Sequence, residues 1–238
     1  SRYCQEATAA VEDILARGKT AIIAGGTGLY MDSLIRGNDF APFPSTGVRE
    51  RLEAEADRAG MEALLQRLRE IDPEAAERLH LSDRKRIIRA LEVYLETGET
   101  ITAHNRRTQS VPPRFSPIWL GLDFEQRAEL YSRIDRRVDV MLEMGLVAEI
   151  QGLLSSGIPE KCTAMQAIGY KEFTAALEGA GTIVEAADQV RLSSRHYAKR
   201  QLTWFRRNKQ MHWLLRKPGE GSEEILRQAR QVLQENDT

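Results

Sequence analysis

The chain has 238 residues, of which 42% are hydrophobic and 29% charged, with a formal net charge of −1. This is the balance of a soluble globular chain: one large domain, or a core carrying an inserted subdomain. Two distant cysteines, Cys4 and Cys162, argue against a disulfide framework and for a reducing compartment. No apolar run is long enough for a bilayer span and the first residues lack a signal-peptide core, so a cytoplasmic, non-membrane protein is expected.

Taken in order, the chain opens in a helical pattern, Gln5 to Arg17, stopped by Gly18. Thr20-Ala21-Ile22-Ile23-Ala24 then reads as a short strand buried on both faces, the habit of a parallel sheet. It breaks on Gly25-Gly26-Thr27-Gly28 and enters a helix that runs to Arg36, with Gly37 as its C-terminal stop. Glycines at such a strand-to-helix turn leave helix amides open to phosphate. The spacing matches neither the dinucleotide fingerprint nor a Walker A loop, so a plain tight connection is an equal reading. A proline-punctuated loop, Asn38 to Ser45, follows. Val48–Arg58, Met61–Ile71, Pro73–Leu79 and Asp83–Thr97 are amphipathic helices, with Gly60 and Gly98 at ends.

A second loop, His104 to Pro117, delivers the strand Ile118–Asp123. A helical block between two Pro-rich loops reads as an inserted subdomain on natural hinges. Arg127 to Ser155 is a long helical pattern broken near Gly145, with Leu130, Ile134, Val138, Met141 and Leu142 as its stripe. Arg137 falls on the edge of that stripe, whereas Arg136 points away. An Arg so placed pairs with a carboxylate or clamps a ligand phosphate; both readings stay open. Thr163 to Lys171 punctuates two helices. Gly169 permits close approach, and Tyr170 and Lys171 offer a stacking plane and a charge, although a packed helix start explains the same residues.

The strongest compositional signal is Arg191 to Lys209, with Arg191, Arg195, Lys199, Arg200, Arg206, Arg207 and Lys209 and no acid among them. Arg191, Arg195 and Lys199 recur at i+4, so a cationic face is expected, interleaved with Tyr197, Trp204 and Phe205. Such a face suits RNA phosphates and unstacked bases better than it suits plain solvation. A smaller cluster, Arg84-Lys85-Arg86 with Arg89, opens the last inserted helix, and Arg106, Arg107 and Arg114 lie on the second loop. The strand Met211–Leu215 and an acidic helix, Glu223 to Glu235, close the chain. His80, His104, His196 and His212 have no metal-ligand spacing. Three strands are few for a doubly wound sheet, and the chain begins without Met, so its first strands are expected to be missing.

Four stretches, in this order and spread along nearly the whole chain, carry a resemblance. They are Gly25-Gly26-Thr27-Gly28-Leu29-Tyr30, Asp83-Arg84-Lys85-Arg86-Ile87-Ile88-Arg89-Ala90-Leu91-Glu92-Val93, Ile168-Gly169-Tyr170-Lys171-Glu172 and Ala198-Lys199-Arg200-Gln201-Leu202-Thr203-Trp204-Phe205-Arg206. The chain resembles the tRNA dimethylallyltransferase (isopentenyltransferase) family. The resemblance implies an α/β fold: a P-loop-NTPase-like parallel core, incomplete at the N-terminus, in residues 1–44 and 115–238, with a helical tRNA-contacting insert over 45–114.

It further implies transfer of a dimethylallyl group from dimethylallyl diphosphate, with Mg²⁺, to N6 of the adenosine 3′-adjacent to the anticodon. By the same resemblance Thr27 would line the way in for the flipped adenosine, and Arg137 would clamp the diphosphate. Arg49, Lys85, Arg86 and Arg89 would contact tRNA from the insert. Gln166, Gly169, Tyr170, Lys171, Lys199, Arg200, Gln201, Trp204 and Arg206 would hold the anticodon stem–loop. The family's phosphate-binding loop and general-base Asp would lie upstream of Ser1, so the chain alone is expected to be inactive, and monomeric. The rival readings are an isopentenyltransferase for free adenine nucleotides, which needs neither insert nor basic segment, and a non-enzymatic RNA-binding module.

Overall fold

The computed structural model describes residues 2–37 and 46–236, apart from the side chain of residue 109. The loop expected over 38–45 lies outside the described residues. Two units are present, 1–116 and 117–238.

The first unit is helical. It comprises α1 (Arg2–Ala16), α2 (Gly28–Arg36), α3 (Val48–Ala59), α4 (Met61–Ile71), α5 (Pro73–Glu77), α6 (Arg84–Thr97) and α7 (Ile101–Ser110). The apolar positions of α3, α4 and α6 recur every three or four residues and converge on one core. Leu64, Leu68, Ile87 and Leu91 are fully buried there, with Leu52 beside them. Each such side chain contributes about 1.5–3 kcal/mol through the water it leaves. Gly37 and Gly98 adopt the left-handed conformation and return their N–H groups to Ser33 and Tyr94, ending α2 and α6 at the expected residues.

Two expectations fail in this unit. Thr20–Ala24 makes no strand among the described residues, and Ile22 is 86% exposed. A strand exists only through its ladder, and apolar composition alone cannot satisfy extended backbone. The second loop also starts later than expected, because residues 101–110 form α7. Thr100 caps it by accepting from Ala103 N–H (3.1 Å). Buried Asp72 ties it to α5: one carboxylate oxygen accepts from Ala75 N–H (3.1 Å) and the other from Thr102 N–H (3.0 Å). Arg106 and Arg107, expected on a loop, are helical and pair with Glu74 and Glu99. Arg114 is a staple: its N–H donates to the Ile35 carbonyl (2.8 Å) and its guanidinium to Thr8 (3.2 Å).

The second unit runs β1 (Trp119–Phe124), α8 (Arg127–Glu143), α9 (Leu146–Ser155), a short 3₁₀ turn (Ala164–Gln166), α10 (Tyr170–Leu177), α11 (Ile183–Phe205), β2 (Met211–Arg216) and α12 (Ser222–Asn236). β1 and β2 pair in parallel, with Trp119 opposite Met211 and Phe124 opposite Arg216. The connection between them consists of helices, as parallel pairing requires. Gly121 is needed where it stands, since a Cβ there would lie 2.8 Å from the Trp213 ring. The break between α8 and α9 falls at Gly145, in the left-handed conformation. Val138, Ile150, Met165, Phe173 and Val190 form the core of α8–α11.

Candidate functional site

The basic segment lies on α11 and the turn after it. Its seven cations divide into two groups. Arg191 pairs with Asp139 of α8 and with Asp188 (2.6 Å). Arg195 Nε donates to Asp135 of α8 (2.9 Å) and its second nitrogen completes a fork on the same carboxylate, while the Tyr131 ring lies 5.5 Å from its guanidinium. Arg206 donates to Asp123 of β1 (3.0 Å), whose carboxylate is only 6% exposed. The face expected to be freely cationic is therefore compensated: no acid lies within the segment, yet the fold brings Asp123, Asp135 and Asp139 to it. The i,i+4 spacing of Asp135 and Asp139 matches that of Arg191 and Arg195, and is the sequence signal that could have revealed the pairing.

The second group remains available. Lys199, Arg200, Arg207 and Lys209 are exposed and find no acidic partner among the described residues. Tyr197, Arg200 and Trp204 follow at i, i+3 and i+7 along one side of α11, with Arg207 just beyond its end. Arg200 lies 5.6 Å from the Tyr197 ring centre and Arg207 5.6 Å from that of Trp204. Alternating guanidinium planes and rings offer phosphates a charge and bases a stacking surface. Gln201 is half-buried beside this stripe.

Arg137 of α8 is exposed and has no hydrogen-bond or ion-pair partner among the described residues. Of its two readings, pairing with a carboxylate is thus not met there. The stretch from Gln166 to Lys171 is more structural. Gln166 donates to the Glu160 carbonyl (3.1 Å). Gly169 is buried at φ +99°, and its N–H donates to Glu172 (2.8 Å). The Tyr170 hydroxyl donates to Glu149, a bond that holds its pKa above the ordinary value of 10.0. Lys171 Nζ lies 3.6 Å from Glu172.

In the first unit, Thr27 precedes α2. Its carbonyl accepts from Tyr30 N–H (3.0 Å) and Met31 N–H (3.2 Å), while its exposed side chain makes no capping bond. The α3–α6 seam is a polar zip. Thr46 bonds Glu96, Arg49 bonds Glu92, and Arg84 reaches the Glu53 carbonyl (3.0 Å) and Asp57 (2.7 Å). Arg89 also donates to Glu92 (2.8 Å), so Arg49 and Arg89 meet on one carboxylate. Lys85 is exposed, and Arg86 reaches Asp83 at 3.4 Å. Glu92, which stands in the second of the four stretches, is thus the common acceptor of Arg49 and Arg89 in the seam.

Among the described residues no three His, Cys, Asp or Glu side chains converge as metal ligands, and no helix is long and apolar enough to cross a membrane.

A two-stranded parallel sheet joined through helices, a helical unit, and an arginine–aromatic stripe along α11 define a mainly helical α/β protein. Residues 1–208 match the family model described as IPP transferase. The chain belongs to that family. A tRNA dimethylallyltransferase of Acetivibrio thermocellus is 40% identical over 234 residues, 98% of this chain and 74% of that protein. The tRNA dimethylallyltransferase 1 of Trichlorobacter lovleyi is 46% identical over 208 residues, 87% of this chain and 68% of that protein. Among solved structures, the full-length tRNA isopentenylpyrophosphate transferase of Bacillus halodurans superposes with a TM-score of 0.63 at 33% identity, covering 99% of this chain and 75% of that one. A eukaryotic dimethylallyltransferase caught acting on tRNA gives a TM-score of 0.74 at 24% identity, over 98% of this chain and 62% of that one, a likeness of fold alone.

Proposed function

We propose that the chain is a tRNA dimethylallyltransferase, acting in the cytoplasm as a monomer. It moves a dimethylallyl group from dimethylallyl diphosphate to N6 of the adenosine beside the anticodon. The observation that carries this reading is the cationic and aromatic stripe of α11, in a chain whose relatives bear that name. In the reaction N6 attacks the allylic carbon, the N6–C bond forms, the C–O bond to diphosphate breaks, and N6 gives up one proton to a base. N6 is a weak nucleophile and the allylic carbon gains cationic character, so stabilising the departing diphosphate supplies much of the rate. Arg137 serves that purpose: among the described residues it has no partner, and its fork matches phosphate oxygens.

Thr27, with its hydroxyl uncommitted to the helix it precedes, lines the way in for the flipped adenosine. The stripe of α11, with Gln201, and the stretch from Gln166 to Lys171 hold the anticodon stem–loop, whereas Arg206 is committed to Asp123. Arg49, Lys85, Arg86 and Arg89 contact the tRNA from the helical insert, residues 45–114. The parallel pair β1–β2 belongs to a P-loop-NTPase-like core. Magnesium, when bound, would add neutralising charge to the diphosphate; the described residues do not fit a protein-built cage for it.

Two binding measurements test the proposal. An unmodified anticodon stem–loop RNA binds the chain and is not displaced by AMP; displacement by AMP at similar concentration would move the reading to the free-nucleotide enzyme. Dimethylallyl diphosphate binds, and Arg137→Ala weakens it about tenfold or more, the loss expected for a hydrogen bond between charged groups. Absence of dimethylallyl diphosphate binding, with RNA binding intact, in a chain that also carries the expected upstream phosphate-binding loop would leave the non-enzymatic RNA module.

A further inference from the structure

We infer that Glu92 is a positioning residue that sets Arg49 and Arg89 as one fixed pair of guanidinium groups for a folded RNA backbone. The inference rests on the reading of Arg49 and Arg89 as RNA contacts. Arg49 stands in the first turn of α3 and Arg89 in α6. Their shared partner is held from both sides. Arg49 Nε donates to Oε1 of Glu92 (3.1 Å) and Nη2 to Oε2 (2.7 Å), a two-pronged fork, and Arg89 Nη1 donates to the same Oε2 (2.8 Å).

Burial separates the three groups. The Glu92 side chain is 15% exposed, against 49% for Arg49 and 44% for Arg89. The anion is thus the anchor beneath, and the two cations are the outward layer. A long flexible side chain normally loses rotamer freedom when it grips a phosphate; here that ordering is in place before any ligand arrives. The seam that carries the anchor is itself fixed. Thr46–Glu96 lies on one side of it and the Arg84 contacts to Glu53 and Asp57 on the other, so the two helices run antiparallel in one register. The Arg49 hydrogen bond, and then that of Arg89, hold the Glu92 carboxyl below its ordinary value of 4.5, so the anchor stays charged at physiological pH.

The opposite function for the same carboxylate is a mask that merely cancels charge. The two differ in what they predict. A mask weakens binding of every polyanion alike. A positioning anion favours an RNA whose phosphates match the fixed pair and does nothing for a flexible strand, which adapts to mobile cations equally well. Lys85, on the same helix, exposed and without a partner among the described residues, is the internal contrast: a cation with no anchor, which reads charge but not spacing.

The experiment measures affinity of the chain for an unmodified anticodon stem–loop RNA and for an oligouridylate of equal length. Glu92→Gln lowers stem–loop affinity about fivefold, leaves the oligouridylate unchanged or slightly tighter, and so reduces selectivity about five- to tenfold. Arg49→Lys keeps the charge but loses the fork, and reduces selectivity in the same direction; it guards against a Glu92 variant that fails to fold. Stem–loop and oligouridylate affinities rising together in Glu92→Gln overturn the inference in favour of a mask, as does unchanged selectivity in both variants. Arg49→Ala separates the premise from the inference: if it leaves stem–loop affinity intact, the assignment of the seam to RNA is what fails.

Discussion

The division of the seven cations between Arg191 and Lys209 has a measurable consequence in salt. Each phosphate neutralised on single-stranded RNA contributes about 0.7 to the slope of log affinity against log salt. If all seven engaged RNA, the segment would contribute a slope of about 4.9; with only Lys199, Arg200, Arg207 and Lys209 free, it contributes about 2.8. Between about 50 and 200 mM salt that is the difference between a loss of roughly 900-fold and one of roughly 50-fold. Other basic residues add to the total, so the informative quantity is the change on substitution. Replacing Lys199, Arg200, Arg207 and Lys209 with Gln lowers the slope by about 2.8. Replacing the pair Asp135 and Arg195 by Asn and Gln removes two opposite charges that already meet in the structure, and leaves the slope unaltered. Fluorescence anisotropy of a labelled anticodon stem–loop across a salt series reads both. A fall in slope of about 0.7 or more in the Asp135/Arg195 double variant would refute the reasoning, because it would place Arg195 on RNA rather than on α8.

Other outcomes follow from the same contacts. Asp72→Ala removes the acceptor of two backbone N–H groups and lowers stability by about 2–4 kcal/mol in urea denaturation; a change within about 0.5 kcal/mol would contradict its place between α5 and α7. Gly169→Ala costs about 1–3 kcal/mol from backbone strain rather than from crowding, since the added Cβ meets Met141 and Leu146 only at 3.7 and 3.8 Å. A neutral Gly169→Ala would show that the φ of +99° is not required. The raised pKa of Tyr170 makes its bond to Glu149 stabilising below pH 10.0, with that contribution lost as pH rises through the folded value. The stability difference between the parent chain and Tyr170→Phe is therefore constant near neutrality and shrinks at high pH; a difference that grows there would be the wrong sign.

Most helices were legible because their determinants are local. Apolar periodicity and glycine stops placed α2, α4, α6 and the α8–α9 break within a residue or two. The helix α7 was missed for the opposite reason. Its residues, Ile-Thr-Ala-His-Asn-Arg-Arg-Thr-Gln-Ser, carry little apolar pattern, and partners outside it, Asp72, Glu74 and Glu99, hold it. Of the site, the four stretches shared with the family were readable as a set, and so was the excess of cations in α11. The anions that answer those cations were not, because they come from 60 residues away for Arg195 and 83 for Arg206.

Composition and spacing alone thus determined where most helices begin and end, where the two strands that form lie in the sequence, and which segment carries unbalanced positive charge. Only the tertiary structure decided which charges stay free. It left Thr20–Ala24 without a ladder, turned Arg191, Arg195 and Arg206 onto carboxylates, left Lys199, Arg200, Arg207, Lys209 and Arg137 without an acidic partner among the described residues, and set Arg49 and Arg89 on Glu92. Helix signals act over a turn or two of chain, whereas strand pairing and ion pairing are relations between distant segments. Whether a charge stays free or is held by a partner is settled by what the fold places within about 4 Å of it.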